Sequence, residues 1–164
     1  MQKVLIDYVI YEFGELDSDN DAEYLSLLEI SEYTFIGDCH FLINGIEFSI
    51  KNIQVLDFLL SLFDASFSTL IGKDVSNMPV LIPDYSEKIY LSLVDGSLFF
   101  EVKDRELMII SAKCDFLTFY RSVFVVIQKL ITEMYNINPE LAKVLMIDEL
   151  FFERIRKDFL TSTS

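Results

Sequence analysis

The sequence predicts an α+β fold: an antiparallel sheet of about five or six strands, a hairpin plus a three-strand meander, packed against three or four helices. Three observations predict it. Asn44-Gly45 and Asp95-Gly96 each sit between apolar runs. Such dipeptides are the strongest short hairpin signals, because a type I′ turn needs positive φ at both central residues. Apolar residues recur at helical spacing between Leu56 and Leu70 and between Phe116 and Met134, which predicts amphipathic helices. Strands come before helices and short turns join them, which points to a segregated antiparallel arrangement rather than a doubly wound one.

Val4 to Phe13 is rich in β-branched and aromatic residues and short enough for a first strand, ended by Gly14. An acidic loop follows, and Glu23 to Ile30 reads equally as a short helix or a strand. Tyr33 to Ile36 leads to an expected turn at Gly37-Asp38. Cys39 to Ile43 and Ile46 to Ile50 are the two arms of the Asn44-Gly45 hairpin. Asn52 reads as the N-cap of the helix carrying Leu56, Leu59, Leu60, Phe63, Phe67 and Leu70, with Gly72 as its stop.

A connection punctuated by Pro79 and Pro83 precedes the meander. Its strands are Ile89 to Val94, Ser97 to Val102 and Glu106 to Ser111, with a second turn at Lys103-Asp104-Arg105. Tyr90, Ser92 and Val94 share one face and Leu91 and Leu93 the other. Asp115 caps a helix to about Tyr135, and Asn138-Pro139 opens a last helix to about Phe159. All 164 residues read as one domain, with no internal repeat visible.

Composition narrows the function. Hydrophobic residues make up 52% of the chain, so it can build a core. The formal net charge is −14, from 27 acidic and 13 basic residues. That argues against nucleic acid and anionic membrane as partners, which call for clustered Lys and Arg. Residues 1–50 hold 11 of the acids and only Lys3 as a base. From Glu12 to Asp38 there is no Lys or Arg, and Glu15, Asp17, Asp19, Asp21, Glu23, Tyr24, Glu29, Glu32, Tyr33 and Asp38 form a candidate surface for a cationic protein partner. Charge would steer such an encounter and tyrosines would anchor it. A solvated acidic face with no partner is the competing reading.

Chemistry motifs are sparse. His40 follows Cys39, but strand neighbours point to opposite faces, so no Cys-His nucleophile is expected. Asp17-x-Asp19-x-Asp21 starts like a calcium loop, yet Ala22 and Leu28 stand where it requires Gly and Glu. The five glycines make no phosphate-binding loop. With no catalytic set, the expectation is a protein that is not an enzyme and holds no cofactor or metal. Cys39 and Cys114 are widely separated and read as buried thiols of a reducing compartment. The N-terminus lacks a signal-peptide pattern. The apolar stretch Ile53–Ile71 carries Asp57 and Asp64, which suits a core helix better than a membrane span. A cytoplasmic location is expected.

The hairpin Phe41-Leu42-Ile43-Asn44-Gly45-Ile46-Glu47-Phe48, the helix after it, and the meander Tyr90 to Val102 leading into a Phe-rich helix resemble small bacterial immunity proteins of contact-dependent and polymorphic toxin systems. That resemblance spans about residues 33–135. It implies an acidic, cytoplasmic, non-catalytic protein that neutralises a cognate, nuclease-like toxin by binding it, and it carries over no particular residues. The alternative function is an assembly subunit, a homo-oligomer joined through Leu150, Phe151, Phe152, Ile155 and Phe159 of the last helix.

Overall fold

The computed structural model describes residues 3–13, 35–70, 80–82 and 85–137. The predicted helix after Asn138, its apolar residues from Leu150 to Phe159, and the segment 23–30 lie outside the described residues. Within them the fold is α+β, with two antiparallel sheets and two helices. Strands β1 (Val4–Phe13), β2 (Phe35–Ile43) and β3 (Ile46–Gln54) form one sheet in sequence order and lead into helix α1 (Val55–Leu70). Strands β4 (Val80–Leu81), β5 (Glu87–Val94), β6 (Ser97–Asp104) and β7 (Leu107–Asp115) form the second and lead into α2 (Phe116–Ile137).

Several expectations need correction. Among the described residues there are two sheets rather than one, with seven strands between them. Gly37-Asp38 is no turn but the middle of β2. Gly37 is buried there, and a Cβ on it would lie 2.0 Å from the Val9 carbonyl oxygen, so glycine lets two strands meet. Asn52 is not a helix cap. It sits in β3 with φ 50°, in a bulge where the β2–β3 register shifts between Gly37 and Cys39. The second meander turn falls at Arg105, which has φ 54°, two residues later than its expected start. Asp115 does cap α2: its carboxylate accepts the Thr118 N–H at 2.8 Å and the Thr118 hydroxyl at 2.7 Å.

The chain also repeats, which the sequence reading missed. Each half is a three-strand meander followed at once by a helix. β3 ends at Gln54 and β7 at Asp115, and the helices begin at Val55 and Phe116, a constant offset of 61 residues. Along the helices Leu56, Phe58, Ser61 and Phe63 recur at that offset as Leu117, Phe119, Ser122 and Phe124. Burial repeats too: Phe58, Leu59 and Leu62 are buried, as are Phe119, Tyr120 and Val123. β2 and β6 alternate in step, so buried Cys39 and Phe41 correspond to buried Phe100 and Val102. In β1, Ile6 and Tyr8 correspond to Ile89 and Leu91, because Ile6 pairs with Phe41 and Ile89 with Val102. Four identities among large core residues and small hydroxyls are too few to stand out by eye in a Leu- and Phe-rich chain.

The halves are interlocked. α2 packs against β1 of the first half and α1 against β5 of the second, while α1 and α2 pack on one another. One core results. Phe41 stacks on Phe48 at 4.8 Å, meets the edge of Phe58 at 6.2 Å, and touches Phe100, which reaches Phe119. Burying such a ring contributes about 1.5–3 kcal/mol. The two buried hydroxyls of α1 are satisfied locally: Ser66 donates to the Leu62 carbonyl and Thr69 to that of Ala65.

Candidate partner surface

Of the ten residues read from sequence as a partner surface, Glu15, Asp17, Asp19, Asp21, Glu23, Tyr24, Glu29, Glu32 and Tyr33 lie outside the described residues. The ends of the segment that carries them are fixed, however. Phe13 pairs with Phe35, so residues 14–34 leave and re-enter the sheet at adjacent positions. Those 21 residues hold seven acids and no base. The corresponding connection of the second meander is the two-residue turn Asp95-Gly96, with φ 49° and 73°.

Asp38, the tenth residue, is described, and its surroundings follow from two irregularities in the ladder. β1 skips a residue between Ile10 and Glu12, which makes Tyr11 a bulge. β3 skips between Ile50 and Ile53 opposite Asp38, which makes Lys51 and Asn52 a bulge. A bulge re-aims side chains and backbone N–H groups. Here both aim at Asp38. The Asn52 N–H donates to Asp38 Oδ1 at 2.9 Å, and the Tyr11 hydroxyl bonds the same carboxylate. Desolvation pushes the Asp38 carboxyl up, but the Tyr11 and Asn52 donors outweigh it and hold the group below its ordinary value. The Tyr11 hydroxyl is pushed up to about 12, first by its bond to Asp38.

A second tyrosine adjoins them. Tyr85 donates its hydroxyl to the Lys51 carbonyl. Tyr11 and Tyr85 are both exposed, at 57% and 39%. The described part of the surface is therefore Tyr11, Asp38, Lys51 and Tyr85, at the end of the sheet from which the acid-rich connection springs. Tyr11, Asn52 and Tyr85 were missed in the sequence. Bulges leave no composition signal, and Asn52 carried a competing signal as a cap.

The outer face of the second sheet has the opposite character. Lys103 lies 4.9 Å from the centre of the Tyr90 ring and bonds Glu101 at 2.7 Å, and Lys113 lies 5.1 Å from the Phe99 ring. Asp38 and Phe99 occupy corresponding positions, one carrying charge and the other an aromatic ring under a lysine.

Cys39 and His40 point apart, as strand geometry requires. The Cys39 thiol is wholly buried, and burial pushes its pKa well above the ordinary value, whereas His40 Nδ1 lies 2.7 Å from the Ser49 hydroxyl on the outer face. Burial also pushes the Cys114 thiol up, to about 11. A cleft of about 130 Å³ between β3 and β7 is lined mainly by apolar groups, among them Phe48, Ile50, Ile82, Val102 and Ile110. Among the described residues no three His, Cys, Asp or Glu are grouped to hold a metal, and no helix is long and apolar enough to cross a membrane. Comparison of the chain with protein-family models, curated proteins and solved structures finds no match.

Proposed function

We propose that this protein is a non-catalytic binding module that captures a cationic protein partner through its acidic first connection. In the immunity-protein reading, that partner is a cognate toxin, nuclease-like in its basic active site, and capture neutralises it. One observation carries the proposal: seven acids are concentrated in a 21-residue connection between paired strand residues, where the otherwise corresponding meander closes with two residues. Long connections on a rigid scaffold are where binding functions concentrate. The paired ends at Phe13 and Phe35 lie at the same end of the sheet as Tyr11 and Asp38. A field of one sign raises association rates for a partner of the other, and salt screens it.

The test is affinity capture from the native host at low and high salt, with wild type and with the triple variant Asp17→Lys, Asp19→Lys, Asp21→Lys. A basic protein retained at low salt, released at high salt and lost with the triple variant supports the reading. Binding indifferent to both salt and charge reversal overturns it.

A further inference from the structure

We infer that Asp38, with Tyr11 beside it, is the seat for one arginine side chain of a protein partner. This rests on the reading of the chain as a module that binds a cationic protein, and it names the side chain that the described part of the surface takes.

The backbone supplies the first ground. Among the described residues Asn44, Asp95 and Arg105 hold positive φ at hairpin turns, whereas Asn52 does so inside a strand, at 50°. Backbone held in this region persists only where its surroundings enforce it, and such places concentrate at ligand-binding sites. Here the distortion builds a polar frame. The peptide group between Lys51 and Asn52 donates its N–H to Asp38 Oδ1 at 2.9 Å and accepts the Tyr85 hydroxyl at its carbonyl oxygen. The Tyr11 hydroxyl bonds the same carboxylate from β1. Asp38, half-buried on the outer face, is therefore fixed from both neighbouring strands before any ligand arrives.

The second half supplies the second ground, because its corresponding place is already filled. Phe99 stands there, and Lys113, its partner in the ladder, holds its ammonium 5.1 Å from the ring centre. The scaffold thus accommodates a cation over this position. In the first half the residue is an anion, and among the described residues no cation forms an ion pair with it. Lys51 and His40 act on the carboxyl only from a distance, and His40 directs its Nδ1 to the Ser49 hydroxyl. Desolvation raises the Asp38 carboxyl, but the Tyr11 and Asn52 donors and those two charges bring it below its ordinary value, so it stays ionised. A fixed, ionised carboxylate without an ion-pair partner is left for a cation from outside.

The chemistry selects arginine over lysine. A planar guanidinium meets a fixed carboxylate with directed N–H bonds, where an ammonium offers a point charge. Tyr11 is 57% exposed. Its ring leads up to the carboxylate, because its hydroxyl is bonded there, so a guanidinium on Asp38 lies alongside an aromatic surface.

The test uses the full chain, isotopically labelled for NMR, and two probes, N-acetyl-arginine amide and N-acetyl-lysine amide. Amide chemical shifts locate the contact, and titration gives the affinity. Saturable shifts at Tyr11, Asp38 and Asn52 are expected, with roughly fivefold tighter binding of the arginine probe. Asp38→Asn should abolish them. Tyr11→Leu should weaken binding by about two- to fivefold, and it gives a separate reading if circular dichroism shows that Asp38→Asn alters the fold. Glu47→Gln, at an exposed carboxylate of the same sheet, should leave binding unchanged. Shifts spread over many carboxylates, equal affinity for the two probes, or binding that survives both Asp38→Asn and Tyr11→Leu overturns the proposal. If reversal at Asp17, Asp19 and Asp21 abolishes partner capture while Asp38→Asn leaves it intact, the arginine seat fails and the acidic reading stands. If the arginine probe seats at Asp38 and no basic protein is captured, the partner reading fails and the site itself stands.

Discussion

The two halves of this chain are built alike and finished differently, and the difference separates what the scaffold requires from what was added to it. Both have three strands, a bulged ladder and a helix that starts at the last strand's end. Buried positions correspond in β2 and β6 and at the start of the helices, where they hold the shared core, whereas in β3 and β7 they are out of step, so buried Ile50 corresponds to exposed Ser111. The solvent-facing positions diverge: Asp38 against Phe99, Leu42 against Lys103, Leu5 against Lys88, a 21-residue acidic connection against two residues. Divergence in charge and connection length falls on the outer faces and loops, the parts that vary most freely on a fixed scaffold.

The largest test strikes the shared side. Phe58 and Phe119 are corresponding helix residues with 1% and 0% exposure. Phe58→Ala and Phe119→Ala should each destabilise the protein by about 3–5 kcal/mol. Each helix packs across the other half's first strand, so both variants should lose the whole molecule in one transition. Urea unfolding followed by fluorescence and by circular dichroism would show this as coincident curves. Non-coincident curves, or a large cost for only one variant, would break the equivalence of the halves.

Next comes a position where the halves solve one problem differently. Gly37 corresponds to buried Leu98, yet at Gly37 the Val9 backbone occupies the place a Cβ would take. Gly37→Ala should cost about 1–3 kcal/mol through displaced backbone, and hydrogen exchange should quicken in β1 and β2 before β6 and β7. Exchange that quickens evenly through both sheets would place the strain elsewhere.

The hairpin turns give a smaller contrast of opposite sign. Asn44 and Arg105 both hold positive φ, 48° and 54°. Asn44 is tied down, accepting the Lys3 N–H at its side chain and donating to the Lys113 carbonyl. Among the described residues the Arg105 side chain bonds no partner, and an L residue in this region bears about 1–2 kcal/mol of steric cost. Glycine removes that cost but adds roughly 0.5–1 kcal/mol of chain entropy. Arg105→Gly should therefore raise stability by up to about 1 kcal/mol, whereas Asn44→Gly should lower it by about 1 kcal/mol through lost hydrogen bonds. Thermal unfolding of the two variants side by side checks the signs.

These contrasts also explain what could be read in the sequence. β1, α1 and the Asp115 cap were legible because periodicity and capping are local. Gly37 was misread as a turn because glycine marks turns and close strand contacts alike, and only the partner strand decides between them. Asn52 was misread as a cap for a similar reason: asparagine suits both an N-cap and a positive-φ bulge. The repeat was invisible because a core specifies size and apolarity rather than identity. Phe41 corresponds to Val102 and Cys39 to Phe100 without loss of pattern. Of the candidate surface, the acids were legible as charge, but the Tyr11–Asp38 contact was not, since a bulge in β1 sets it up.

That tyrosine–carboxylate contact yields the smallest effect and the one most particular to the first half. Asp38 is held below its ordinary value near 3.8, despite an opposing desolvation, by Tyr11 and the Asn52 N–H. Its stabilising contribution is therefore present above about pH 3.8 and is lost as pH falls through the lower folded value. Tyr11, pushed up to about 12 from 10, contributes stability that is intact below pH 10 and lost as pH rises toward 12. Both groups are exposed enough that the change is modest. Asp38→Asn should flatten the acid limb of the stability–pH curve and, by removing the charge facing Tyr11, the alkaline limb as well. Tyr11→Phe should flatten both, leaving some acid dependence through the Asn52 bond. Phe99, at the corresponding place in the second half, has no ionisable group, so Phe99→Leu should shift the curve without changing its shape. Urea midpoints measured from pH 2.5 to 11 for the three variants decide it. An acid limb that survives Asp38→Asn unchanged would show that other carboxylates, Asp7 with its Lys129 partner first among them, carry the pH dependence.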